Sequence, residues 1–303
     1  MLFYFIFFKQ LYTFLMIKNL ITNDEYIIDS LIGEGSFGKV YKIISKFNNS
    51  IFAMKIPIIS NNFDKNKTKS ILYLNNEITV LKKIGPYSGI VKLIDYEFDC
   101  YILMPYYKTT MLEFIKYDTN NYIKQNIINI FYKLLHTLKY IHTKGIIYQD
   151  LKPENIMLDN NDLILIDFGN SIITTDINYT NNELAGTLQY CSIKSHTKCP
   201  ITILDDIENL VYVCIFLYEQ QLPWNINNSS QYIQNINDWT LNLKLKYRNE
   251  CLQYNKTSLT TNNFLSKLYQ FICTKQMLNK KYHNKYIKSD YDLDIYTEII
   301  KLN

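Results

Sequence analysis

The sequence predicts an α+β fold in two lobes, the first rich in strands and the second mainly helical. Three observations predict it. The chain has 303 residues, 48% of them hydrophobic and 20% charged, which suits a folded chain with a sizeable core in two lobes or domains better than a disordered one. From Tyr26 the run YIIDSLIGEGSFGKVYKI alternates apolar and polar residues, as strands do, and further strand candidates follow up to Met104. Over residues 122–144 the apolar residues recur at helical spacing, and further helical runs follow later in the chain.

Each element follows from its residues. YIIDSLIGEGSFGKVYKI alternates around a glycine turn, in which Gly33, Gly35, Gly38 and Val40 spell Gly-x-Gly-x-x-Gly-x-Val. Missing side chains let backbone amides come close to phosphates. Glycine hairpins and the dinucleotide fingerprint share this spacing. Here a strand, not a helix, follows the last glycine, which points away from a dinucleotide fold. IFAMKIP reads as a short strand carrying Lys55 after Ala53 and Met54; a lysine there is costly unless paired. Residues 66–84 read as a helix with Ile71, Leu74, Ile78 and Leu81 on one face and Glu77 beside them. Glu77 is either the partner of Lys55 or a solvated helix position.

Strand candidates at Ile90–Glu97 and Tyr101–Met104 lead into Pro105-Tyr106-Tyr107. Residues 122–144 form a long amphipathic helix with Ile127, Ile130, Phe131, Leu134, Leu135, Leu138 and Ile141 in register. His136 and His142 on that helix read as structural, because no second ligand or nucleophile accompanies them. A further helix in DDIENLVYVCIFLYEQQLPW closes at Leu222-Pro223-Trp224, and helical runs follow near Phe264–Thr274 and Tyr291–Ile300.

The chemistry concentrates in residues 146–171, IIYQDLKPENIMLDNNDLILIDFGNS. Asp150 follows one β-type run, Asn155 lies five positions on, and Asp167 opens Asp167-Phe168-Gly169 after a second run. Asp, Asn, Pro and Gly are also common in plain surface turns. Phosphoryl transfer needs a carboxylate near the attacking hydroxyl, a cation on the moving phosphate and oxygen ligands for magnesium. Asp150, Lys152 and the pair Asn155 and Asp167 supply these in turn. An Asp-Leu-Lys-Pro-Glu-Asn loop followed by Asp-Phe-Gly resembles the catalytic core of a protein kinase.

Across roughly Tyr26 to Tyr296 the chain resembles the eukaryotic protein kinases, and it is most similar to the casein kinase I and vaccinia-related kinase group. The group features are Gly186-Thr187 followed by Ser192-Ile193 and His196, then Asp205-Asp206-x-Glu208-x-Leu210-x-Tyr212-Val213 leading to Leu222-Pro223-Trp224. After an apolar N-terminal extension over 1–21, the resemblance implies an N-lobe over 22–104, a hinge at 105–107 and a C-lobe over 108–303. It implies ATP and Mg2+ as cofactors and protein substrates phosphorylated on serine or threonine. Lys55, paired with Glu77, would face the α/β-phosphates. The nucleotide would lie against Gly33, Gly35, Gly38, Val40 and Ala53, with Met104 behind the adenine and Pro105 and Tyr107 at the hinge. Thr187 and Lys152 would shape the hydroxyl pocket. The alternatives are a pseudokinase that binds nucleotide or partners without turnover, and a small-molecule phosphotransferase of related fold.

Three positions depart from the pattern. Tyr148-Gln149 replaces the usual His-Arg before the catalytic Asp, so no arginine there can clamp a phosphate. Lys194 stands at the usual glutamate of Ala-Pro-Glu, which removes that motif's ion pair. Ile203-Leu204 sit where the casein kinase I group has arginines, which puts a preference for acidic or pre-phosphorylated substrates in doubt.

The formal charge is +4 and the only arginine is Arg248. No dense Lys/Arg cluster appears, so specific nucleic-acid binding is not expected. The six cysteines lack any CxxC pair, which fits a reducing, cytoplasmic setting, and a monomer is expected. MLFYFIFFKQLYTFLMI is apolar but interrupted by Lys9 and Gln10 and shorter than the ~20 residues of a membrane span. A membrane contact, an unusual signal peptide, a loosely packed tail and an extension ahead of a start at Met16 stay open.

Overall fold

The computed structural model describes residues 26–58, 65–174, 186–197, 200–225, 235–282 and 294–302. These residues form two compact units. One holds the chain up to Lys108 together with Ile166–Gly169, and the other holds Thr109–Leu165 and the chain from Asn170. The expected extension over 1–21 lies outside the described residues.

In the first unit β1 (Tyr26–Glu34), β2 (Gly38–Ser45), β3 (Ile51–Pro57), β4 (Asp95–Glu97) and β5 (Tyr101–Pro105) build one antiparallel sheet in the order β1-β2-β3-β5-β4. Ile43, Met54, Cys100, Tyr101 and Leu103 form a buried cluster in this unit. Helix α1 (Lys65–Ile84) buries Leu74, Ile78 and Leu81, as its spacing predicts. The expected strand over Ile90–Glu97 is corrected by the structure: the strand is only Asp95–Glu97. Ile90 and Val91 are both buried, and adjacent strand residues cannot both face one core.

The register of β2, β3 and β5 positions the first part of the site. Val40 lies opposite Lys55, and Ala53 lies opposite Met104. Directly opposed residues share a face, as do residues two apart on one strand. Val40, Ala53, Lys55 and Met104 therefore line the same face of the sheet.

The second unit is mostly helical: α2 (Met111–Tyr117), α3 (Tyr122–Thr143), the short α4 (Ile193–His196), α5 (Ile203–Glu219), α6 (Ile236–Tyr254), α7 (Asn263–Tyr282) and α8 (Asp294–Ile300). Thr110 and Glu113 cap α2 reciprocally. Helix α3 buries the predicted stripe from Ile127 to Ile141. Helix α5 is buried on nearly every side, as a hydrophobic run in the centre of a unit must be. Between α3 and α5 come β7 (Ile146–Ile147), a 3-10 turn at Pro153–Asn155, β8 (Ile156–Asp159), β9 (Asp162–Leu165) and β10 (Ile172–Ile173). A two-residue strand, β6 (Thr109–Thr110), pairs with β8, which pairs with β9; β7 pairs with β10.

The five described cysteines are buried free thiols, Cys214 among them. Among the described residues no helix is long and apolar enough to cross a membrane.

Burial separates two leucines that composition treats alike. Leu134 on α3 is fully buried and Leu72 on α1 is 59% exposed. Leu134→Ala is expected to lower unfolding free energy by about 2–5 kcal/mol, through lost transfer energy and the cavity left behind. Leu72→Ala should stay within about 0.5 kcal/mol. Urea unfolding of both variants checks the contrast, and equal losses would contradict this packing.

Candidate active site

The first unit contributes a cluster of one cation and two carboxylates. Lys55 reaches from β3 to Glu77 Oε2 at 2.6 Å and to Asp167 Oδ1 at 2.8 Å. Glu77 is fully buried, so the solvated reading of that residue is excluded. Its other oxygen, Oε1, accepts the Phe168 backbone N–H at 3.2 Å. Burial opposes the charge on Lys55, but Asp167 and Glu77 outweigh it and hold the ammonium above the usual lysine range. Burial pushes the Glu77 carboxyl up, Lys55 pulls it down, and Asp167 adds to the rise. The Glu77 side chain is 1% exposed and that of Asp167 is 39% exposed. Glu77 is thus sealed in the interior, while the Asp167 carboxylate is partly open to solvent.

Asp167 adopts a left-handed backbone, φ 61°, a conformation that non-glycine residues hold only when their surroundings fix it. The Phe168 N–H on Glu77 and the Asn76 side-chain amide on the Gly169 carbonyl (2.9 Å) fix it here. In the glycine turn, Gly35 N–H donates to the Gly38 carbonyl at 3.0 Å. A Cβ on Gly38 would fall 2.9 Å from the Ile56 carbonyl oxygen, whereas one on Gly35 would meet nothing. Gly38 is required by the approach of β2 to β3, and Gly35 leaves open space above the backbone. Gly33 has only ordinary contact with Val40. Phe37 at the tip of the turn stacks on Tyr73 of α1, with centroids 3.7 Å apart and planes 9° from parallel. Pro105 ends β5 opposite Phe52, and Tyr107 follows, half-buried.

The second unit, taken by itself, holds the loop after β7. Asp150 is buried, and its Oδ1 accepts the Thr187 hydroxyl at 2.9 Å. Its Oδ2 meets Lys152 Nζ at 3.2 Å and Asn170 Nδ2 at 3.2 Å. The Asn155 amide nitrogen donates to the Asp150 carbonyl at 3.0 Å, which turns the amide carbonyl to the other side. Asp150, Lys152, Asn155 and Thr187, predicted separately, are thus one cluster. Asn170 was not singled out from the sequence; its place directly after Asp-Phe-Gly is the signal that could have found it.

A buried scaffold holds this loop by its backbone. Asp206 on α5 accepts the N–H of Tyr148 at 2.7 Å and of Gln149 at 2.8 Å, and it meets His142 Nε2 at 2.8 Å. The other ring nitrogen of His142 is bonded to the Tyr296 hydroxyl. One turn along α5, Asn209 accepts the Leu151 N–H at 3.1 Å and donates to the Leu151 carbonyl at 2.8 Å. Gln149 is itself left-handed, φ 72°. Gly186 packs on its carbonyl so closely that a Cβ would fall 2.6 Å away, and Gly186 also has φ +86°. Only glycine meets both demands.

Comparison with known proteins adds lineage to this geometry. The protein kinase domain family matches residues 26–285. The chain is 32% identical over 210 residues to a probable casein kinase I homolog of Encephalitozoon cuniculi, an alignment covering 66% of this chain and 64% of that protein. It is 29% identical over 228 residues to a probable serine/threonine-protein kinase of Fowlpox virus, covering 67% and 75%. With a probable serine/threonine-protein kinase of Dictyostelium discoideum it shares 28% identity over 227 residues, covering 67% of this chain and 45% of the relative. The chain therefore spans less than two thirds of the length of two of these relatives. A family match over most of the chain, on residues already found clustered in the structure, makes this chain a member of the protein kinase family.

Proposed function

We propose that the protein transfers the γ-phosphate of ATP to serine or threonine hydroxyls of protein substrates. The observation that carries this reading is the buried Asp150 carboxylate, bonded to the Thr187 hydroxyl and flanked by Lys152 and Asn170. The serine/threonine preference rests on Lys152 and Thr187 at that carboxylate and on similarity to relatives named as serine/threonine kinases.

Magnesium takes oxygen ligands. Asp167 offers a partly exposed carboxylate, and Asn155 offers an amide carbonyl whose nitrogen is already engaged, so the donor types fit. The bound ion would offset the charge of the phosphates. Lys55, held by Glu77, would meet the α/β-phosphates, and the glycine turn with Val40, Ala53 and Met104 would take the nucleotide. At Asp150 the substrate hydroxyl gives its proton to the carboxylate as its oxygen bonds to the γ-phosphorus. The bond from that phosphorus to the β–γ bridging oxygen breaks, and ADP leaves. Lys152 balances the charge on the moving phosphoryl group. The rival reading is a pseudokinase, and the intact Lys55, Asp150, Asn155 and Asp167 weigh against it. Incubation with labelled ATP, magnesium and casein or histone separates the two, since label on the protein substrate is expected only from a kinase.

In that assay Asp150→Asn should reduce turnover by about 10²–10⁴-fold, the usual contribution of a positioned base, while ADP binding by calorimetry changes little. Wild-type turnover by the variant would remove Asp150 from the mechanism. A second expectation follows from Gln149, which is buried and has no charge with which to clamp a loop phosphate. Of the candidate acceptors Thr174, Thr175, Tyr179 and Thr180, the first already bonds the Gly145 carbonyl through its hydroxyl, and the others lie outside the described residues. Phosphatase treatment, followed by removal of the phosphatase, should leave the initial rate unchanged. A drop of tenfold or more that recovers with rephosphorylation at one of these residues would show another basic group doing the clamping.

A further inference from the structure

Lys244 is a fully buried lysine that the proposed chemistry does not use. It lies on α6, a helix the sequence did not announce, and its ammonium donates to the Leu188 carbonyl at 2.8 Å and the Cys191 carbonyl at 2.6 Å. Its third near contact is His196 Nε2 at 3.1 Å. Burial and the Lys244 charge lower the His196 pKa to about 4, so the imidazole is neutral near pH 7 and can accept from Lys244. Its Nδ1–H then donates to Asn237 Oδ1 at 2.6 Å, two turns back on α6. The rings of Tyr212 and Trp224 stand 5.2 and 5.5 Å from the ammonium.

The two carbonyls between those of Lys244 are held as well. Trp224 Nε1 donates to the Gln189 carbonyl at 2.7 Å, and Asn209 Nδ2 to the Tyr190 carbonyl at 2.8 Å. Four consecutive carbonyls, 188 to 191, thus each receive a side-chain donor, and Lys244 supplies the first and last. The segment starts at Thr187, whose hydroxyl rests on Asp150, and its Leu188 and Gln189 side chains are only half-buried. With Tyr190, Cys191 and Ser192 buried and the backbone pinned from beneath, Thr187, Leu188 and Gln189 form a fixed, partly open edge suited to receive another chain.

We propose that Lys244 is the positioning residue that holds Thr187–Ser192 as the docking platform for the protein substrate. This rests on the transfer reaction proposed above and names the group that aligns its acceptor. Lys194, where kinases usually carry the glutamate of an ion pair, is not the anchor; the buried cation arrives from α6 instead. Removing the ammonium leaves two buried carbonyls without their donor, which is expected to loosen the segment.

The test uses the full chain and two readouts. In Lys244→Met, amide hydrogen exchange across 187–192 should accelerate about tenfold or more, and the KM for a serine peptide should rise about tenfold while the KM for ATP moves less than about twofold, a tenfold change being the loss of one ordinary interaction. Exchange and peptide KM both unchanged in folded Lys244→Met would overturn the proposal. If that variant does not fold, the milder Lys244→Gln, which keeps an uncharged donor on a shorter stem, decides by the same two readouts with a smaller shift expected. Absence of any transfer by the wild type would defeat the proposed reaction, and hydrogen exchange would still decide whether Lys244 holds the segment.

Discussion

One buried carboxylate, Asp206, sets the geometry of the loop on which the proposed chemistry depends. It takes two consecutive backbone N–H groups, from Tyr148 and Gln149, and a ring nitrogen of His142. A charge so deep is costly unless its oxygens are fully engaged. Three donors meet that requirement, and the same bonds place Asp150 one residue further on. Gln149 then adopts a left-handed backbone, and Gly186 closes over its carbonyl. Thr187 follows and lays its hydroxyl on Asp150. The arrangement runs from a helix through a backbone to the Asp150 carboxylate, with no loop left to find its own position.

Buried charge is handled differently elsewhere. In the first unit Lys55 is shared by two carboxylates, one buried and one partly open, so a ligand phosphate can compete for the lysine without stranding Glu77, which keeps the Phe168 N–H. In the second unit Lys244 is held by carbonyls and an imidazole. The first arrangement leaves a charge available to a substrate. The second commits its cation to the fold, and the difference follows from what surrounds each ammonium.

The parts legible in sequence were those in which one local pattern carries the information. Helix α3 has an unbroken apolar stripe, and the glycine turn and the two aspartate motifs have fixed spacing. Helix α6 was missed because few of its residues are buried, Thr240, Lys244 and Cys251 being those of its interior, which leaves no apolar stripe to find. The short strands β6, β8 and β10 escaped because two to four residues carry too little periodicity. The strand expected at Ile90–Glu97 was cut to its last three residues because Ile90 and Val91 both turn inward. Within the site, the residue types at Lys55, Glu77, Asp150, Asn155 and Asp167 were visible in sequence, while the bonds that support them were not. Asp206 and Asn209 reach the loop across 57 and 58 positions of chain, and Tyr296 reaches His142 across 154, separations that no spacing rule connects.

The dependence of the loop on Asp206 is tested most directly by single-turnover phosphorylation with Asp206→Asn, alongside ADP calorimetry and a melting curve. Asparagine keeps the shape but turns a donor toward a cluster of donors, so the loop should shift by a fraction of an ångström or more. The account predicts a folded protein that binds ADP nearly as wild type does and transfers phosphate about 10²-fold more slowly, the scale of loss that small misplacements produce. A folded Asp206→Asn protein with the wild-type rate of transfer would contradict it, because the loop would then hold its geometry without the carboxylate.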